Sequence, residues 1–152
     1  MTNAGAKPDA AAGPTVIWPP GTGPRVLVGT YALDQHEAGA QYVARLLRDA
    51  GAEVIYLGRF NLPEHIAEVA VQEDADLIGM SCHSWEYLPC TRELLAALEL
   101  RGRSVPVVLG GAVITPTDAA DLQRDGVAAV FGPSSTPTDI LTTIQALTAH
   151  PL

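Results

Sequence analysis

From Arg25 onward, short apolar runs alternate with amphipathic stretches. The runs fall at Arg25–Thr30, Glu53–Leu57, Asp76–Ser81, Val105–Leu109 and Val127–Phe131. Each is short and rich in Val, Ile or Leu, which predicts buried strands. Between them the apolar positions take helical spacing. Ala40, Val43, Ala44 and Leu47 make an i, i+3, i+4, i+7 face on a helix over 38–50. Gly51 stands just past its end, where a left-handed cap is wanted. Pro63 opens a second helix at a position where its missing N–H costs nothing. A third helix is placed at Cys90–Leu100. The tetrapeptide Thr-Pro-Thr-Asp occurs at 115–118 and again at 136–139. Each copy reads as a helix start, with Thr as cap, Pro in the first turn and Asp near the positive end of the dipole. The last helix carries Ile140, Leu141, Ile144 and Leu147 on one face.

Strands alternating with helices specify βαβ units around a parallel sheet. Five of each is the count of an α/β, flavodoxin-like, doubly wound five-stranded domain. The 152 residues suit one domain, large enough to bury a core without disulfide or metal staples. Residues 1–24 read as a flexible tail, because Ala, Gly and Pro fill 14 of those 24 positions and no apolar period runs through them. The cluster Val16-Ile17-Trp18 is the one place where that tail has something to dock. The domain proper is then 25–150.

Composition narrows the function classes. Apolar residues make up 47%, charged residues 17%, and the formal net charge is −8 with no basic run. That balance argues against nucleic acid or an anionic membrane as partner, since both need clustered Lys and Arg. The N-terminus has no basic region followed by a long apolar run, so neither a signal peptide nor a membrane span is expected. Cys82 and Cys90 are eight apart, a spacing of neither a zinc pair nor a disulfide framework. Reduced thiols in a cytoplasmic protein fit that usage.

In an open parallel sheet, ligands bind beyond the carboxyl ends of the strands. The unusual residues crowd that edge: Asp34 and His36 after the first strand, Ser81 to Tyr87 after the third, Gly110-Gly111 after the fourth, Ser134-Ser135 after the fifth. Asp34 two residues before His36 is able to accept one ring N–H and leave the other nitrogen as an outward lone pair, a device that fixes a metal-binding tautomer. Asp34 also stands where a helix cap would. Gly39 and Gly110-Gly111 read either as turn and loop glycines or as positions without side chains where a bulky group approaches. Trp85 and Tyr87 suit packing or a partner surface.

Together these residues resemble the cobalamin-binding domain of adenosylcobalamin-dependent mutases, above all the small subunits of the acyl-CoA mutases. The family pattern D-x-H-x-x-G is met by Asp34, His36 and Gly39, the serine of S-x-L by Ser81, and G-G by Gly110-Gly111. The resemblance spans about Pro24 to Leu147. Departures are Gln35 for a glycine, Thr30 where many acyl-CoA mutases carry lysine, His83 for the leucine, and Ser134-Ser135 after Gly132-Pro133. The resemblance implies adenosylcobalamin bound with its lower base displaced, His36 as axial cobalt ligand supported by Asp34, and a nucleotide tail in a slot lined by small residues. The expected cofactor contacts are Leu33, Asp34, Gln35, His36, Glu37, Gly39, Ser81, Cys82, His83, Gly110, Gly111, Ser134 and Ser135. No catalytic residue is expected. A chain of this size has no room for a substrate barrel, so the resemblance implies a non-autonomous subunit with a larger barrel partner. A cobalamin carrier or sensor is the alternative, followed by the corrinoid protein of a methyltransferase.

Overall fold

The computed structural model describes residues 17–149. Five strands, β1 (Arg25–Tyr31), β2 (Glu53–Asn61), β3 (Leu77–Ser81), β4 (Val107–Gly110) and β5 (Ala129–Phe131), alternate with α1 (Ala38–Asp49), α2 (Pro63–Gln72), α3 (Tyr87–Leu100), α4 (Pro116–Asp125) and α5 (Pro137–Thr148). All strand pairs are parallel, in the order β2-β1-β3-β4-β5. The two-residue alternation of the strands sorts the core into two layers. Val26, Val28, Leu77 and Val108 pack with α1 and α5 through Ala40, Ala44, Leu47, Ile140 and Ile144. Leu27, Ile78, Met80, Val107 and Leu109 pack with α2, α3 and α4 through Ile66, Ala70, Leu94, Leu98 and Leu122.

The helix starts follow the sequence rules. Thr115 Oγ1 accepts the N–H of Asp118, and Thr136 and Asp139 form a reciprocal capping box. Gly51, at φ 103°, closes α1. It also lies under the N-terminal segment. The N–H groups of Ile17 and Trp18 both donate to the Ala50 carbonyl at 3.0 Å, and Trp18 is buried. Val16, the remaining member of that apolar cluster, lies outside the described residues.

Boundaries differ from the sequence reading for local reasons. β2 runs on to Asn61 because its end is bulged, with register shifts opposite Gly29 and left-handed backbone at Gly58 and Phe60. The Asn61 amide latches this extension by donating to Thr30 O at 2.9 Å and Gly58 O at 2.8 Å. α3 starts at Tyr87 rather than Cys90, with Pro89 in its first turn, where a missing N–H is harmless. Val127 stays out of β5 because its N–H is spent on Leu122 O at the end of α4.

Candidate functional site

In the observed strand order the connections leaving β1 and β3 diverge, which opens a crevice at the carboxyl edge between them. Asp34 sits there. The turn after Tyr31 passes through a positive φ at Ala32, and the Asp34 N–H donates back to Tyr31 O at 2.8 Å. This turn carries the Asp34 side chain inward, to 2% exposure. Oδ1 accepts the His36 N–H at 3.0 Å and ring Nδ1 at 2.8 Å, while Oδ2 accepts the His83 N–H at 2.7 Å. One carboxylate therefore ties the loop after β1 to the loop after β3. Burial works to raise its pKa, but the bonds from the N–H groups of His36 and His83 and from the His36 ring outweigh it, and the net shift is downward. The carboxylate is ionised and only accepts, so the proton of a neutral His36 ring sits on Nδ1 and the lone pair on Nε2. The His36 side chain is 65% exposed. Asp34 does not cap α1. The N-cap residue is Glu37, which makes no side-chain cap bond. Thr30 Oγ1 donates to the Asp34 carbonyl at 3.1 Å, so this hydroxyl steadies the same turn.

Beside this pair a cleft of about 180 Å³ runs between α1 and α5 along the sheet. Its walls are apolar: Val26, Val28, Leu77 and Val108 from the sheet, Ala40, Val43 and Leu47 from α1, Ile140 and Ile144 from α5. Its mouth is polar and small, with Gly39, Ser81, His83, Gly110, Gly111 and Ser135. A Cβ on Gly39 would come within 2.9 Å of Ser81 Oγ and 3.3 Å of His83 Nε2, so glycine keeps the mouth open. Gly111, at φ 149°, lets the chain pass so close to β3 that a Cβ would lie 1.8 Å from the Cys82 carbonyl oxygen.

The structure thus gathers Asp34, His36, Gly39, Ser81, His83, Gly110, Gly111 and Ser135 at one crevice. Leu33, Gln35 and Ser134 lie at the same edge but are exposed. Glu37 turns aside, accepting from the Tyr56 hydroxyl at 2.8 Å and pairing with Arg59 at 3.2 Å. Cys82 requires a correction. Its side chain is 1% exposed within the opposite layer, because it stands between Ser81 and His83 and points to the other face. Burial pushes its thiol pKa far up. Sequence reasoning missed the apolar lining from α1 and α5 and the wall residues Tyr42 and Phe131. Helical periodicity marks such residues as inward-facing, but it does not separate a filled core from a cleft wall. Among the described residues, no group of three His, Cys, Asp or Glu is arranged to hold a bare metal ion, and no helix is long and apolar enough to cross a membrane.

A doubly wound domain with a histidine-bearing crevice at its switch point is a cofactor-binding module in form. Residues 24–142 match the B12 binding domain family, and the chain belongs to it. It is 38% identical over 125 residues to the 2-hydroxyisobutanoyl-CoA mutase small subunit of Aquincola tertiaricarbonis, covering 82% of this chain and 92% of that one. It is 37% identical over 129 residues to the pivalyl-CoA mutase small subunit of Xanthobacter autotrophicus, covering 84% and 86%. Against Escherichia coli methylmalonyl-CoA mutase the identity is 37% over 115 residues, 76% of this chain but 16% of that much longer one. A cobalamin-binding protein from Desulfitobacterium hafniense shares the fold at TM-score 0.72 and 21% identity, covering 84% of this chain and 60% of that one. A methanol:cobalamin methyltransferase complex from Methanosarcina barkeri does so at 0.66 and 20%, covering 82% and 48%. The chain is a cobalamin-binding domain related to mutase small subunits.

Proposed function

We propose that this chain is the cobalamin-holding subunit of an adenosylcobalamin-dependent carbon-skeleton mutase, with His36 as the lower axial ligand of cobalt. The observation that carries the reading is the Asp34–His36 pair at the mouth of an apolar cleft. A lone histidine with a fixed lone pair suits a metal that brings its own equatorial ligands. The neighbouring cleft, glycine-mouthed and apolar inside, suits a displaced nucleotide tail. The residues present therefore fit the group. When bound, adenosylcobalamin supplies homolysis of a cobalt–carbon bond, and the protein supplies placement. On this reading Asp34 holds the His36 tautomer, Gly39 and Gly110-Gly111 leave room, and Ser81, His83 and Ser135 furnish polar contacts.

The substrate would be held by a larger barrel subunit. Leu33 (76% exposed), Trp85 (76%), Leu62 (62%) and Phe60 (55%) stand at or just past the carboxyl ends of β1, β3 and β2, and this exposed apolar surface on the crevice side of the sheet suits such a partner. The relatives named as small subunits match this chain over most of their length, which supports the same division of labour. The free thiols of Cys82 and Cys90 support a cytoplasmic setting.

The test is a visible absorption spectrum. Purified protein is mixed with adenosylcobalamin and desalted, and the experiment is repeated with His36→Ala. Retained corrin with a base-displaced, histidine-ligated spectrum, lost in the variant, is the expected result. An unchanged spectrum in the variant would overturn the assignment of His36.

A further inference from the structure

His83 is the site residue whose chemistry departs most from the pattern the chain otherwise follows, which has leucine there. Three observations place it. Its side chain lines the cleft mouth beside Gly39 and Ser81. Its ring Nε2 stands 3.4 Å from Ser81 Oγ. Its backbone N–H is fixed by the buried Asp34 carboxylate at 2.7 Å, so the ring is presented from an anchored point rather than from a free loop. The His36 ring is a neighbour, with centroids 5.5 Å apart and planes at 45°. Below this level the walls are apolar. The Ser81–His83 pair is thus a polar collar around the entrance of an apolar slot.

Resting on the reading above, we propose that His83 hydrogen-bonds the nucleotide tail of the cofactor as it enters the slot, and so helps to select corrinoids that carry such a tail. An imidazole offers one donor and one acceptor. Nε2 faces the mouth, 3.4 Å from Ser81 Oγ and 3.3 Å from where a Cβ on Gly39 would sit, so this nitrogen is placed to meet a base nitrogen or ribose hydroxyl entering beside Gly39. A leucine in this place would give only apolar contact. His83 is then a specificity residue for the tail, separate from the cobalt ligand.

The ligand pair that tests this is adenosylcobalamin and adenosylcobinamide, which share the corrin and upper ligand but differ in the nucleotide. Binding of each is titrated by absorbance to wild type, His83→Leu and His83→Gln. The expected result is a loss of about three- to tenfold for adenosylcobalamin in His83→Leu, the range of one net hydrogen bond. Affinity for adenosylcobinamide stays unchanged, and His83→Gln recovers part of the loss. Wild-type affinity for adenosylcobalamin in His83→Leu would overturn the proposal. An equal loss for both ligands would also overturn it, because His83 would then act through His36. Should His83→Leu melt early, His83→Met carries the same comparison. Failure of the wild type to take up either corrinoid would instead sink the underlying assignment of the site.

Discussion

At the scale of the residue, the site turns on Asp34. A buried carboxylate that accepts three bonds is stable only while all three donors face it. Asp34→Asn keeps the shape but turns an N–H₂ group toward one set of donors. Loss of stability by about 1–3 kcal/mol is expected, the cost of leaving buried donors unmatched. Urea denaturation checks this, and an unchanged midpoint would show that the loops are held by other contacts. The variant should also weaken any ligation by His36, since the tautomer is no longer enforced. The Asp34–His36 contact was legible in the sequence because it spans two positions in one loop. The Asp34–His83 bond joins residues 49 apart, and no local pattern encodes it. Cys82 was misplaced although strand alternation carried the signal: it is flanked by Ser81 and His83, which face the cleft.

At the scale of the element, the close passage of the chain after β4 is the feature most open to test. Gly111→Ala asks a Cβ to occupy the space of the Cys82 carbonyl oxygen, a backbone atom that no rotamer change removes. A positive φ adds strain for any L side chain. Destabilisation of about 2–4 kcal/mol is expected in thermal or denaturant unfolding. A near-neutral outcome would mean that the loops after β3 and β4 are free to separate. Strand and helix identities were readable because the periods of two and of 3.6 are distinct and the caps are explicit, as at Thr115 and Thr136. The end of β2 was not readable. Its extension depends on a bulge against β1 and on the Asn61 latch to Thr30, a pairing 31 positions away.

At the scale of the whole molecule, two buried phenols set an alkaline limit. Burial, then the hydrogen bond to the Asp118 carboxylate, pushes Tyr87 up to about 12 from 10.0. Burial also holds Tyr31 well above the ordinary value. An unfolded chain would ionise both near 10.0, so the folded state binds more protons above that point. The stabilising contribution is intact below pH 10.0 and is lost as pH rises toward about 12. Urea midpoints from about pH 8 to about pH 11 should fall only at the upper end, and Tyr87→Phe should lessen the fall. A flat profile would show that neither phenol is sealed in solution.

The docking of Trp18 on Ala50 has a consequence for how such a unit is joined to other proteins. α1 starts at the carboxyl edge and finishes at the opposite one, so Ile17 and Trp18 lie at that far edge. α5 leaves the carboxyl end of β5 and runs back the same way to Thr148. Both ends of the described domain therefore emerge on the side away from the crevice. A fusion protein, an immobilisation tag or a fluorophore joined directly at Ile17 or Ala149 would start on the side away from the ligand. With both ends on that side, such a unit is open to being spliced into a longer polypeptide without turning its working face.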